Sequence, residues 1–315
     1  MNTRYIIQRL LLAVVVVFGV TFVVFLIIHL VPGDPARVIL GVQANEANVA
    51  ALRERLGLND PFLVQYATWL WDAAHGDFGR SLITRQPVGP QIAQRLPATL
   101  QLATAALFVG MLIAFPAGII SALRPGSKTD IFTSVISQIG VSIPDFWMGI
   151  MLVLLFSLTL GWLPSRGYTP MSEDLVGWLR HITLPAATLG VISGSIQTRF
   201  IRSAMLEVLN ANYIRTARAK GLTERLVIVR HALRNAMITI VTIIGLQITA
   251  LLSAVVVVEV VFGWPGLGRL ALEAVLDRDY PLLQGTVLTV AVLLTMVNLG
   301  VDLLYFFLDP RIEYA

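Results

Sequence analysis

Apolar residues in this chain come in blocks rather than at the spaced core positions of a soluble domain. Six blocks stand out, at about 10–31, 98–123, 130–161, 184–205, 236–262 and 285–308. A helix rising 1.5 Å per residue needs about 20 predominantly apolar residues to cross a hydrocarbon core of about 30 Å. Each block therefore predicts a membrane span. The third is split by Pro144; a single kinked helix is the preferred reading and a helix-break-helix the alternative. Arg4 and Arg9 precede the first block as in a secretory signal. That block, Leu10–Val31, is longer than a usual signal core and runs into Pro-Gly-Asp-Pro rather than a small-residue cleavage site, so it is read as a retained span.

The segment between the first two spans, 32–96, has helical patterning of its own. Asn45 is placed to cap a helix carrying Val49, Leu52 and Leu56 on one face, with Gly57 at its end. Asp60 and Pro61 open a second helix in which Phe62, Tyr66, Trp69, Leu70 and Ala73 recur at helical spacing, and Gly76 closes it. Two readings fit: a helical cap packed on a channel mouth, and a docking surface for a soluble partner.

Composition agrees with the pattern. Hydrophobic residues make up 56% and charged residues 13%, against roughly a quarter charged in soluble domains. There is no cysteine, which excludes disulfides and thiolate chemistry. The net charge of +4 is mostly arginine, with Lys128 and Lys220 the only lysines; in so apolar a chain its electrostatic partner is the anionic face of a lipid bilayer, not nucleic acid.

Basic residues also predict orientation. With the N-terminus inside, the inner segments hold thirteen: Arg4, Arg9, Arg124, Lys128, Arg199, Arg202, Arg215, Arg218, Lys220, Arg225, Arg230, Arg234 and Arg311. The short outer loops hold four, Arg166, Arg180, Arg269 and Arg278. Both termini are expected in the cytoplasm. The expected organisation is a first transmembrane helix (1–31), an extracytoplasmic helical segment (32–96), a five-helix core (97–308) containing a cytoplasmic loop at 206–235, and a short cytoplasmic tail (309–315).

The most informative stretch is that loop, NYIRTARAKGLTERLVIVRHALRNA from Asn212 to Ala236. Tyr213, Ala217 and Lys220 begin a helix that Gly221 can end in a left-handed turn. Thr223 can cap a second helix with Leu226, Val229 and Leu233 on one face. Helix, glycine turn and helix just beneath the membrane suit docking onto another protein; a basic loop touching only lipid headgroups is the competing reading.

The loop resembles the EAA motif of ABC importer permeases, in which Glu-Ala-Ala is followed by Gly and then Ile-x-Leu-Pro. Aligned on Gly221, the first three positions are Arg215, Thr216 and Ala217, and His231, Leu233 and Arg234 fall on the Ile, Leu and Pro. The variant RTARAKGL…HALRNA is similar to the dipeptide, oligopeptide and nickel branch of these permeases. So are LVPGDP at 30–35, GDFGRSL at 76–82, SIPDFW at 142–147 and VFGWPGLG at 261–268.

This resemblance implies an all-α membrane protein with a type I ABC importer permease fold and six transmembrane helices. It implies that Tyr213, Arg215, Thr216, Ala217, Lys220, Gly221 and Arg225 form a coupling helix docked on an ATPase subunit. Arginine replaces the usual glutamate at Arg215, so a salt bridge from that glutamate does not carry over. The implied partners are a homologous second permease, two ATPase domains or subunits that carry ATP and Mg, and an extracytoplasmic solute-binding protein, all in or at a bacterial inner membrane. The implied cargo is a di- or oligopeptide, with nickel or glutathione as alternatives.

The chain lacks the means to supply energy itself. It has no GxxxxGK[ST] phosphate loop; the nearest string, PGSKT at 125–129, has serine where glycine must precede lysine. Neither HExxH nor GxSxG occurs, which removes the commonest membrane-enzyme motifs. A self-sufficient secondary transporter would show inverted repeats or paired broken helices, and no internal repeat is evident. His29, His75, His181 and His231 are scattered without ligand spacing, so no metal site is expected.

Acidic residues inside spans cost at least about 2.5–3.5 kcal/mol near mid-bilayer and mark candidate path or gate positions. Asp145, with Phe146 and Trp147 beside it, either caps a helix after Pro144 or lines the path. Glu259 either reaches headgroup water and loop donors or faces the channel mouth. Asp302 pairs with an inner arginine or faces the path. The glycine-rich loop 263–268, whose Trp264 suits an interface belt, is read as a structural turn, with contact to cargo or its delivery protein as the alternative.

Overall fold

The computed structural model describes residues 3–30, 35–40, 44–55 and 57–308. Its regular elements are helices: α1 (Thr3–Leu30), α2 (Pro35–Leu40), α3 (Glu46–Arg55), α4 (Phe62–Ala74), α5 (Val88–Leu123), α6 (Lys128–Ser142), α7 (Asp145–Leu152), α8 (Leu175–Leu209), α9 (Asn212–Ala219), α10 (Glu224–Leu226), α11 (Arg234–Phe262), α12 (Leu267–Leu276) and α13 (Tyr280–Leu308). Wider π-type turns extend α7 over Val153–Thr159 and join α10 to α11 over Val227–Leu233. Leu56, most of the 30–35 motif, Arg311 and the tail 309–315 lie outside the described residues.

Among the described residues, five helices are long and apolar enough to cross a membrane, and the bent pair α6–α7 raises the number to six if it counts as one span. That pair settles the third block in favour of the alternative. Its two helices meet at 104°, not in one kinked rod. Ile143 and Pro144 are both extended, at ψ 127° and 141°. A proline disfavours the helical conformation at the residue before it and removes a backbone donor.

The second span starts earlier than its apolar block, because α5 runs without a break from Val88. At 36 residues it is about 54 Å long, well beyond the hydrocarbon core.

The chain forms two compact units, Met1–Ala98 with Pro265–Met296, and Thr99–Trp264 with Val297–Ala315. In the first, Asn45 Oδ1 accepts the Asn48 N–H at 2.7 Å as a cap. Gly57 and Gly76 turn the chain at φ 66° and 87°. The α4 helix packs on α1 through aromatic rings, with Phe22 and Phe25 meeting Phe62 and Tyr66 at 5.3 to 5.7 Å between centroids. The Tyr66 and Thr21 hydroxyls bond at 2.9 Å. A second apolar cluster joins Val88 and Ile92 of α5 to Leu267, Leu270 and Ala274 of α12 and Leu282 of α13. Beside it the buried Asp279 accepts from the Ser81 hydroxyl and, at 3.1 Å, from the Leu82 N–H, which ties the 76–82 motif to the start of α13.

In the second unit, α8 packs against α6, α7 and α11. Its approach to α5 depends on missing side chains. A Cβ on Gly118 would lie 2.8 Å from Ile201 and 2.9 Å from the Thr198 carbonyl oxygen, and one on Gly190 would lie 2.5 Å from Val109. Lipid tails are as apolar as the helices, so backbone-close van der Waals contact supplies the attraction that burial supplies in water.

Replacing Gly118 by Val is therefore expected to force α5 from α8 and destabilise the chain by about 1–3 kcal/mol, the usual cost of overpacking. A thermal melt of the detergent-solubilised protein checks this. An unchanged midpoint contradicts the contact.

Candidate functional site

The loop after α8 is held from both sides. In α9, Ile214 and Ala217 are buried at 0% and 7% exposure. They belong to a core cluster with Ala114 and Ala122 of α5, Ile201 and Met205 of α8, and Ala236 and Ile240 of α11. The i, i+3 spacing of those two residues turns one narrow face of α9 inward. Tyr213, Arg215, Thr216, Arg218 and Lys220 remain exposed. A short helix thus presents a basic outer face while its inner face is part of the helix bundle.

Gly221 ends this helix at φ 77°, as expected. The Leu222 N–H returns to the Ala217 carbonyl at 3.4 Å and the Gly221 N–H to Arg218 at 2.9 Å. An added feature spans the turn: the Arg218 guanidinium donates to both Glu224 carboxylate oxygens, at 2.6 and 3.1 Å. Both side chains are about half exposed, so the pair directs the turn more than it stabilises it. Arg225 is exposed beside it.

The second half of the loop differs from expectation in two ways. Thr223 occupies the N-cap position, but its hydroxyl makes no capping bond. Leu226 and Val229 are exposed, while Val227 and Ala232 are fully buried. The reason is the π-type turn over Val227–Leu233. Its i→i−5 bonding brings residues five apart onto one face, and the 3.6-residue pattern no longer predicts the inner side.

The acidic and aromatic candidates fall into separate places. Glu259 is fully buried and accepts the Thr99 hydroxyl at 2.6 Å. Its carbonyl accepts the Trp264 N–H at 2.8 Å, around Gly263 at φ 64°. Trp264 is also fully buried, edge-on to Tyr168 with centroids 4.8 Å apart. Both are enclosed by other groups of the second unit. They form a closed knot at the end of α11, which α7 approaches where Gly149 faces the Phe262 ring.

Asp145 opens α7 beneath Pro144 and makes no side-chain capping bond; its charge lies in the first turn, where the helix dipole favours it. Phe146 and Trp147 are about half exposed. Asp302 is half-buried in α13, apart from these in sequence and in fold.

One cluster escaped sequence reasoning. Asp130, 4% exposed, accepts from Arg202 Nε and Nη2 at 2.6 and 2.8 Å, from the Gly126 N–H at 2.8 Å, and from the Ser121 hydroxyl. It joins the α5–α6 turn to α8, two turns before the end of α8. The available signal was an acidic residue in the first turn after Gly126-Ser127, directly following the string dismissed as a phosphate loop. Among the described residues, no group of three or more His, Asp or Glu is placed to hold a metal ion.

This arrangement has a counterpart among solved structures. An inward-facing conformation of the MetNI methionine ABC transporter superposes with a TM-score of 0.58 at 19% identity, over 69% of this chain and 96% of that one. The fold is that of type I ABC importer permeases. Residues 114–314 match the family described as binding-protein-dependent transport system inner membrane component, and residues 2–103 match its N-terminal part. The chain belongs to that family.

Similar proteins of full length carry transport names. The chain is 42% identical to the dipeptide transport system permease protein of Alkalihalophilus pseudofirmus, over 98% of this chain and 99% of that one. It is 41% identical to the oligopeptide transport system permease protein of Bacillus subtilis, over 98% and 99%. It is also 41% identical to the glutathione transport system permease protein of Escherichia coli, over 99% of each.

Replacing Thr99 by Val removes a donor from a buried carboxylate and is expected to cost about 1–3 kcal/mol. Glu259→Gln, which keeps an oxygen acceptor for Thr99, should cost less. Thermal midpoints of the two variants give the comparison, and a Thr99→Val protein as stable as the parent contradicts the role assigned to this bond.

Proposed function

We propose that the chain is one half of the transmembrane channel of an ATP-driven importer of short peptides. The observation that carries the reading is full-length similarity to permeases named for dipeptide, oligopeptide and glutathione transport, all of them peptides. In this reading both termini face the cytoplasm of a bacterium, as the distribution of arginines favours. A homologous permease completes the channel, two ATPase subunits holding ATP and Mg lie beneath it, and an extracytoplasmic binding protein delivers cargo.

The chain itself is not the enzyme. Energy enters through the exposed face of α9, where Tyr213, Arg215, Thr216 and Lys220, with Arg225 past the turn, meet the ATPase. The physical support is the rooting of α9. Its Ile214 and Ala217 share a core with α5, α8 and α11, and a close-packed core transmits displacement rather than absorbing it. A push on α9 therefore rotates those helices together. Arg202–Asp130 couples the base of α8 to α6 in the same movement. At the other end of α11, the Glu259–Trp264 knot and the break before Asp145-Phe146-Trp147 are the gate elements that such a rotation repositions. Asp302 on α13 is a further path candidate.

The glycine turn provides the test. A Cβ at Gly221 would meet nothing within 4 Å, so substitution there acts through the left-handed backbone alone. In proteoliposomes holding the assembled importer, Gly221→Val is expected to retain ATP hydrolysis but lose ATP-dependent uptake of a labelled dipeptide. Gly221→Asn, which tolerates that conformation, should keep most uptake. Normal transport by Gly221→Val contradicts the placement of the coupling turn. Uptake by the parent complex without ATP contradicts the function.

A further inference from the structure

The first unit contains a cavity of about 710 Å³ that no part of the coupling or gating account uses. It lies within the usual range for small-molecule sites, roughly 300–1,000 Å³. One wall is a single face of α4: Gln65, Thr68, Trp69 and Asp72, at i, i+3, i+4 and i+7. Gln65 and Trp69 of this face also meet α1, at His29 (3.2 Å) and at the Phe25 ring (6.0 Å between centroids), so Phe25 and His29 share the lining. The segment after α4 adds Arg80 and Arg85, and the first turns of α13 add Tyr280 and Gln284.

The lining has two unusual features. It carries both signs of charge unpaired. Among the described residues, the carboxylates of Asp60 and Asp72 and the guanidinium groups of Arg80 and Arg85 form no ion pair, although all four line one cavity. It also carries one orphaned buried polar atom and, among the described residues, an amide that bonds nothing. Trp69 Nε1 is buried without an acceptor, and Gln284 is 8% exposed with no side-chain hydrogen bond among the described residues. Buried polar groups are nearly always paired, so donors and acceptors left open along a cavity wall suit a polar ligand.

We propose that this cavity binds the free zwitterionic backbone of a di- or tripeptide, holding its ammonium at Asp72 and its carboxylate at Arg80 and Arg85. Trp69 and Gln284 then bond the peptide groups between. The dimensions agree. The α4 wall from Gln65 to Asp72 is about 10 Å long, and an extended tripeptide spans at most about 10–11 Å. Guanidinium groups recognise carboxylates by paired, charge-assisted bonds, and the Trp69 and Tyr280 rings favour an ammonium nearby. The choice of a peptide over other zwitterions rests on the function proposed above; the demand for two opposite charges rests on the lining alone. The site makes the permease a receiver of cargo in its own right, apart from the delivery protein.

The test uses the full chain in phosphatidylglycerol nanodiscs without any binding protein, titrated calorimetrically with dialanine and trialanine. Saturable binding is expected, about tenfold weaker for the N-acetylated and for the C-amidated peptide, and for Asp72→Asn and the paired substitution Arg80→Gln with Arg85→Gln. All three residues are exposed, so the fold tolerates their loss; Trp69→Phe, which keeps the ring and removes the N–H, provides an independent arm and should also weaken binding.

Absence of saturable binding overturns the proposal, as does binding indifferent to end-blocking or to the charge variants. Displacement by glycerophosphoethanolamine at the same concentration as peptide overturns it in favour of a lipid-headgroup site. If the assembled importer takes up dipeptides while the chain alone binds none, this inference falls and the function stands. If the chain binds them but the importer takes up none, the site stands and the function falls.

Discussion

Hydrocarbon offers no hydrogen-bond partner and no hydrophobic drive between apolar helices. A chain that crosses it must close every polar group on itself and bring its helices together by shape. The second unit brings α5 and α8 together by shape and closes its buried carboxylates on itself, while both amide atoms of the buried Gln197 on α8 have no partner among the described residues. At Gly118 and Gly190 the α5 and α8 backbones come so near that a methyl group would collide. At the ends of that packing, the charged groups are enclosed: Asp130 by Arg202, Gly126 and Ser121, and Glu259 by Thr99. Loosening the helix contact would expose both carboxylates to lipid, so packing and polar closure support each other.

The same constraint explains how a helix outside the apolar spans becomes part of the bundle. The only α9 side chains that can enter the core are those on its inner face, and Ile214 and Ala217 do so beside Ile201, Met205 and Ala236. Everything else on α9 is exposed, with Arg215 and Arg218 giving that face its positive charge. The chain carries no phosphate loop; in the string that comes nearest to one, the Gly126 N–H is committed to Asp130. In the function proposed above, the work comes from a partner, and the rooted helix with its glycine turn is the feature suited to receive it.

Much of this was legible in the amino-acid pattern, and the exceptions share a cause. Long apolar blocks, the Asn45 cap, the Gly57, Gly76 and Gly221 turns and the helical face of α4 are local, and periodicity or a single conformational preference expresses them. Pro144 announced a disturbance but not its size, because whether a proline kinks or ends a helix depends on what receives the freed carbonyls. The shared face of Leu226, Val229 and Leu233 presumes a 3.6-residue repeat, which the π-type turn over Val227–Leu233 replaces. The turn at 263–268 was legible from its glycines, but the enclosure of Trp264 by Tyr168 was not. Asp130 with Arg202, Ser81 with Asp279 and Thr99 with Glu259 are polar pairs distant in sequence, and no local pattern marks them. The cavity along α4 likewise needs three segments that only the folded chain brings together.

The central claim is that this chain is one half of a channel driven from outside itself. Its most direct test is purification of the solubilised chain from its native membrane, with mass spectrometry of everything retained. The account predicts recovery of a second, homologous permease together with ATPase subunits, and of a solute-binding protein whose bound ligand is a short peptide. A homo-oligomer of this chain alone, still transporting after ATP is removed, would contradict it.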